Sequence, residues 1–195
     1  MGLPVEDLVI ATNQNDILHR SLSSGEYRMN KVLPSYSPSM DIQISSNFER
    51  ALFDAYDRDG EAVAQLMEAL KTNGGFLMSQ DSLDKLREHF SSGTVSEAVT
   101  LACIRETKQK TNEILCPHSA IGVHVAENMR NKNVPMITLG TAHPAKFPDA
   151  IEKACDLRPA LPERLSDLFE REERISRVSN DLQEIKSLVK DRIAL

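Results

Sequence analysis

The 195-residue sequence is short of several things. It holds three cysteines, Cys103, Cys116 and Cys155, odd in number and irregularly spaced. That set argues against a disulfide framework and fits reduced thiols, so a cytoplasmic protein is expected. No apolar run approaches the ~20 residues that span a bilayer, so no membrane partner is expected. The opening MGLPVEDLVIATN has no basic stretch followed by an apolar one, and is not expected to act as a secretory signal. Glu6 stands where a myristoylation signal needs Ser or Thr. The formal net charge of −6 leaves no basic excess for a phosphate backbone, so no nucleic-acid partner is expected. A glycine-rich phosphate cradle, a serine-nucleophile elbow and a P-loop are all missing. Metal ligation is not expected either. His118 and His124 are six residues apart on one expected helix, and metal pairs on helices use three or four.

What is present reads as a globular chain, 41% apolar and 27% charged. "DLVIAT" (7–12) and "VPMITLG" (134–140) read as two buried strands. "ILHRSLSSG" reads as a short helix stopped at Gly25. Residues 26–45, with two prolines and four serines, read as a long irregular connection, and such connections are often functional. Capping boxes are expected at Ser46–Glu49 and Thr94–Glu97. The first opens a helix with Phe48, Leu52, Phe53 and Tyr56 on one face. Asp59 caps a third helix that ends at Gly74-Gly75, and Leu83, Leu86 and Phe90 mark a fourth. "HSAIGVHVAENMR" (118–130), started by Pro117, is another. "PERLSDLFEREERI" and "NDLQEIKSLVKDRIAL" read as two closing amphipathic helices, over about 161–195. Two strands make no stable sheet alone, so either the chain is essentially all-α or its strands belong to an incomplete sheet.

Few residues stand out as site candidates. Thr141 follows Gly140 at the end of an apolar strand, and ligands of open α/β sheets bind outside the carboxyl ends of strands. Gly140 lets backbone and ligand approach closely, although Gly-Thr also suits a plain turn. Pro144 stiffens the next loop and sets His143 in an extended conformation, where an imidazole could shuttle protons or partner an anion, or simply be a satisfied polar group. Lys146 reads as an exposed strand-end lysine. His118 lies behind Pro117 at a helix start, an end that attracts anions. Asn13, Asn15 and Asp16 read first as turn and cap residues, and second as a polar pocket.

Four stretches together carry a resemblance: "LVIATNQNDIL", "SPSMDIQISSNFERALFD", "CPHSAIGV" and "ITLGTAHPAKFPDAIEKA". They resemble the corresponding segments of the threonine synthase family, in order and at similar intervals, from residue 2 to the end. The resemblance implies an α/β fold: the C-terminal part of a fold-type-II pyridoxal-phosphate enzyme, mostly helical with a few strands of an incomplete open sheet. It places residues 1–195 in the large cofactor-binding domain, with a helical insertion at about 46–115. It implies the conversion of O-phosphohomoserine and water to threonine and phosphate. It gives Thr141 the role of hydrogen-bonding the pyridine nitrogen of the cofactor, with Gly140 beside it. His143, His118 and Asn13 become candidates for the substrate pocket.

The same resemblance implies parts that this sequence does not hold. The family's Schiff-base lysine, its SGDTG-like stretch and its glycine-rich phosphate loop all precede the segment matching Met1. Lys71, Lys85 and the other lysines lie on expected helix faces. No catalytic residue is therefore assigned here, and the chain alone is expected neither to retain pyridoxal phosphate nor to turn over. Its expected partner is the N-terminal half of the enzyme. The alternative is a non-catalytic helical binding or assembly module derived from that enzyme.

Overall fold

The computed structural model describes residues 4–193. Two compact units divide the chain, 1–160 and 161–195.

The first unit begins with β1 (Leu8–Thr12) and α1 (Ile17–Ser24). Gly25 stops α1 in the left-handed region, φ 80°, where a side chain would be strained. β2 (Glu26–Arg28) follows, then the long connection, which is irregular apart from a 3₁₀ turn at Pro38–Met40. Next come α2 (Phe48–Ala55), α3 (Gly60–Asn73), β3 (Gly75–Leu77), α4 (Gln80–Arg87) and β4 (Phe90–Thr94). α5 (Glu97–Thr111), α6 (Pro117–Met129), a 3₁₀ turn at Pro144–Lys146 and α7 (Pro148–Cys155) complete it. The strands form two pairs. β1 runs parallel to β4, Leu8 opposite Phe90 and Thr12 opposite Thr94. β2 runs antiparallel to β3, Tyr27 opposite Phe76. The architecture is mixed α/β with most residues in helices, and the 46–115 stretch contains two of the strands besides its helices.

Three apolar clusters hold this unit. The first stacks Tyr27 between Phe48 and Phe76, at 5.4 and 5.0 Å between centroids, and adds Leu52, Leu83 and Leu86. The second joins α5, α6 and α7 through Ile104, Ala120 and Ile151. The third sets Ile121 and Val125 of α6 against Val95. Burying such side chains stabilises by about 1.5–3 kcal/mol each. α6 thus contributes to two clusters at once, and its position is fixed from both sides.

Several expectations are corrected. Residues 134–140 form no strand. A strand takes its backbone hydrogen bonds from a neighbour, and among the described residues none pairs with this segment. Ile137 and Leu139 are 80% and 77% exposed. Ser46 caps nothing: Asn47 is already helical and the Phe48 N–H bonds Ser45 O, so a turn runs directly into α2. Phe53 is exposed, and Ala55 takes the inward position instead. Ser96, not Thr94, caps α5, accepting the Val99 N–H, while the Thr94 hydroxyl bonds Asn13 O within β4. Phe90 opens a strand rather than closing a helix. Asp59 caps α3 as expected, accepting from the N–H groups of Glu61 and Ala62.

The second unit carries two 3₁₀ turns, Glu163–Leu165 and Leu168–Glu170, where a helix was expected. Helices gain most of their stability by burying an apolar face, and here Phe169 is 85% exposed. α8 (Leu182–Ile193) is the closing helix, with Leu182, Ile185 and Val189 all exposed.

Candidate functional site

The long connection is held rather than loose. Asn13, 2% exposed, points its Nδ2 at Ser35 Oγ (2.9 Å), Ser37 Oγ (2.9 Å) and Asp41 Oδ1 (2.8 Å). Its Oδ1 accepts the Asn15 N–H at 2.8 Å. Asn15 in turn donates to Leu33 O and Asp41 Oδ1 and accepts the Leu33 N–H. The carboxamides after β1 clamp residues 33–41, with both polar atoms of the Asn13 side chain engaged. Buried amides cost free energy unless paired in this way. From the other side Glu97 accepts the Tyr36 N–H at 3.0 Å.

His118 is a third clamp. Its Nε2 accepts the Ser39 N–H at 3.2 Å, and its ring packs on Phe147 at 4.6 Å. Because Nε2 accepts, the proton of the neutral ring sits on Nδ1, which is buried without a partner among the described residues. Burial holds the His118 pKa below its ordinary 6.5, helped by the charge of Lys146 and opposed by Asp41. His143 is exposed, and its Nδ1 accepts the Ala145 N–H at 3.2 Å. It caps the 3₁₀ turn that starts at Pro144. Lys85 lies 2.8 Å from both Asp57 and Asp81, which raise its pKa above the ordinary lysine value. A lysine so held is no nucleophile.

Thr141 sits elsewhere, against the first turn of α6. Cys116 caps that helix, its Sγ accepting the Ser119 N–H. Ser119 Oγ accepts the Thr141 N–H at 3.0 Å and lies 3.2 Å from Thr141 Oγ1. Cys116 Sγ lies 3.2 Å from Ser119 Oγ and 3.5 Å from Thr141 Oγ1. Burial pushes the Cys116 thiol up. The hydroxyls of Ser119 and Thr141 and the N–H groups of Ser119 and Ala142 more than offset it, so its pKa ends below the ordinary thiol value. Thr141 itself is exposed.

This cluster borders a cleft of about 180 Å³, whose lining includes Cys116, Ser119, Thr138, Gly140 and Ala142. A Cβ on Gly140 would meet nothing within 4 Å, so the cleft is open there. One turn along α6, a Cβ on Gly122 would lie 3.0 Å from Thr138 Cγ2, so segment 138–141 is seated closely on this helix. The lining holds hydroxyls, a thiol and apolar groups, with no carboxylate. The structure therefore gathers Thr141, Gly140, Cys116 and Ser119, and puts Asn13, His118 and His143 to work as clamps and caps. Ser119 was not singled out from sequence. Its signal was the Cys116–Ser119 spacing at the start of α6, a cap in which a thiol stands for the usual hydroxyl.

Ser119, Gly140 and Thr141 lie within a stretch matched by a family profile, and Cys116 just before it. The family profile described as "Threonine synthase, C-terminal" matches residues 119–189. Threonine synthase from Pseudomonas aeruginosa is 50% identical over 191 residues, 97% of this chain and 41% of that protein. The crystal structure of PLP-bound threonine synthase from Brucella melitensis superposes with a TM-score of 0.89 at 50% identity, covering 98% of this chain and 41% of that one. The chain is homologous to the C-terminal part of threonine synthases. The yeast threonine synthase structure agrees, with a TM-score of 0.86 at 36% identity, covering all of this chain and 43% of that one. The chain thus spans about two-fifths of the length of these relatives. Threonine synthases are pyridoxal-phosphate lyases of fold type II, and the α/β architecture here is theirs. Among the described residues no helix is long and apolar enough to cross a membrane, and no group of side chains could hold a metal ion.

Proposed function

We propose that this chain supplies the ring-nitrogen side of a threonine synthase active site, which converts O-phosphohomoserine and water to threonine and phosphate. The observation that carries the reading is Thr141. It is an exposed residue held on the start of α6 between Gly140 and Ala142, which line the cleft, and that lining has no carboxylate.

That donor set fits pyridoxal phosphate. When bound, the cofactor supplies a ring that draws electrons away from the reacting carbons of the substrate. The chain's residues tune and seat it. Thr141 Oγ1 donates to the pyridine nitrogen, and a neutral hydroxyl leaves that nitrogen unprotonated. Gly140 presents no side chain, so backbone and ring edge approach closely. Ser119 and Cys116 hold the Thr141 hydroxyl in place. The neutral state of the buried His118 keeps a positive charge away from α6 at neutral pH. The amine that holds the cofactor and the cradle for its phosphate come from the N-terminal portion that the longer relatives carry. The chain alone neither retains pyridoxal phosphate nor turns over.

The test is a chimera in which these 195 residues replace the matching portion of the Pseudomonas aeruginosa enzyme. Phosphate release from O-phosphohomoserine is expected from the chimera and not from the chain alone. In the chimera, Thr141→Ala should lower kcat about 10²-fold, the scale of one lost positioned donor. A folded chimera whose kcat ignores Thr141→Ala contradicts the reading.

A further inference from the structure

Thr141 cannot by itself decide where its hydroxyl proton points, and the residues around it contain the answer. A hydroxyl has one proton to give and two lone pairs. Ser119 Oγ spends one lone pair on the Thr141 N–H at 3.0 Å. Cys116 Sγ already accepts the Ser119 N–H. Either atom of each contact can donate; in the arrangement where the protonated thiol gives its S–H, the nearer oxygen is Ser119 Oγ at 3.2 Å rather than Thr141 Oγ1 at 3.5 Å. Both lone pairs of Ser119 Oγ are then filled, and its own proton goes to Thr141 Oγ1 at 3.2 Å. The donors run one way, from Cys116 to Ser119 to Thr141. One proton is left over, and it is on the only exposed member of the three.

We infer that Ser119 is the positioning residue of Thr141: it grips the Thr141 backbone and hydroxyl together and leaves the Thr141 proton free for an acceptor beside the cleft. The inference rests on the reading above in taking that acceptor to be the pyridine nitrogen. Ser119 does not touch the ring and acts only through Thr141. Its own footing is secure. It is 5% exposed and sits one residue before Ala120, fully buried between α5 and α7. A turn further on, the close approach of Gly122 to Thr138 keeps segment 138–141 from lifting off α6. The arrangement also explains a buried serine in the first turn of a helix whose cap is already filled by Cys116.

Two measurements test it. In the 195-residue chain without cofactor, amide hydrogen exchange at Thr141 is compared for wild type, Ser119→Ala and Ser119→Thr. Loss of the bond in Ser119→Ala should speed Thr141 exchange about five- to tenfold, and Ser119→Thr, which restores the hydroxyl, should slow it again. In the chimera loaded with pyridoxal phosphate labelled with ¹⁵N in the ring, Ser119→Ala should move the nitrogen resonance part of the way taken by Thr141→Ala. Ser119→Thr should return it. Circular dichroism and melting confirm that each variant is folded. Unchanged Thr141 exchange in a folded Ser119→Ala chain overturns the inference. So does a nitrogen resonance that moves with Thr141→Ala and ignores Ser119→Ala. A resonance that ignores Thr141→Ala itself overturns the ring-nitrogen reading, while the exchange data still decide whether Ser119 holds Thr141.

Discussion

Single residues in this protein divide between those that hold a surface open and those that hold a loop shut. Thr141 is the first kind, His118 the second. His118 was open to a substrate reading from sequence, because a helix start behind a proline attracts anions. In the structure its Nε2 serves Ser39 and its ring serves Phe147. Protonating Nε2 would set two N–H groups against each other. The consequence is a pH dependence whose sign is fixed. The folded-state pKa lies below the ordinary 6.5, so in the window beneath 6.5 the unfolded chain binds more protons. The stability contribution is complete above that value and is lost as pH falls through the window. Urea midpoints measured from pH 5 to 8 should therefore fall on the acid side in the wild type. In His118→Gln, which keeps an acceptor for Ser39 and cannot charge, the fall should be smaller. An identical slope in both would remove His118 from the account.

At the scale of elements, what sequence reveals depends on whether an element is self-contained. α1, α3 and α6 were legible because their caps and stops are local: Asp59 at one end, Gly25 and Gly74 at others. β2, β3 and β4 were not, since three residues of strand carry no period and "FSSGT" has no apolar alternation. These strands exist through pairing at long separation, which no local window records. The antiparallel pair depends on a close approach. A Cβ at Gly75 would lie 2.7 Å from Tyr27 O and 2.9 Å from Arg28 Cα, both backbone atoms that cannot step aside. Gly75→Ala should cost about 1–3 kcal/mol of unfolding free energy. Tyr27 fluorescence should report the same loss, because Tyr27 stacks between Phe48 and Phe76 across that pair. A midpoint equal to wild type would mean the strands separate more easily than their packing implies.

At the scale of the molecule, the informative feature is apolar surface without a partner among the described residues. Segment 134–139 reads as a buried strand and is exposed, Ile137 at 80% and Leu139 at 77%. Its sequence is suited to a sheet that the chain alone does not complete. This also explains why Thr141 was found from its position after an apolar run although no strand forms there. The candidate site was legible because its residues follow one another, Gly140 then Thr141. Its supporting half was not, because Cys116 and Ser119 lie more than twenty positions earlier and meet Thr141 only through the fold. An exposed apolar edge favours association. The isolated chain should therefore self-associate at raised concentration in sedimentation experiments, and Ile137→Asp should reduce that association. In the chimera the same substitution should instead destabilise if the N-terminal portion covers the segment. If Ile137→Asp changes neither, segment 134–139 is not an interface.

The most direct test of the account is the ¹⁵N resonance of ring-labelled pyridoxal phosphate in the chimera, compared among wild type, Thr141→Ala and Thr141→Asp. The account predicts an unprotonated, hydrogen-bonded nitrogen in the wild type, a shift toward the free pyridine value in Thr141→Ala, and a protonated nitrogen in Thr141→Asp. A nitrogen already protonated in the wild type, or one indifferent to both substitutions, would contradict it.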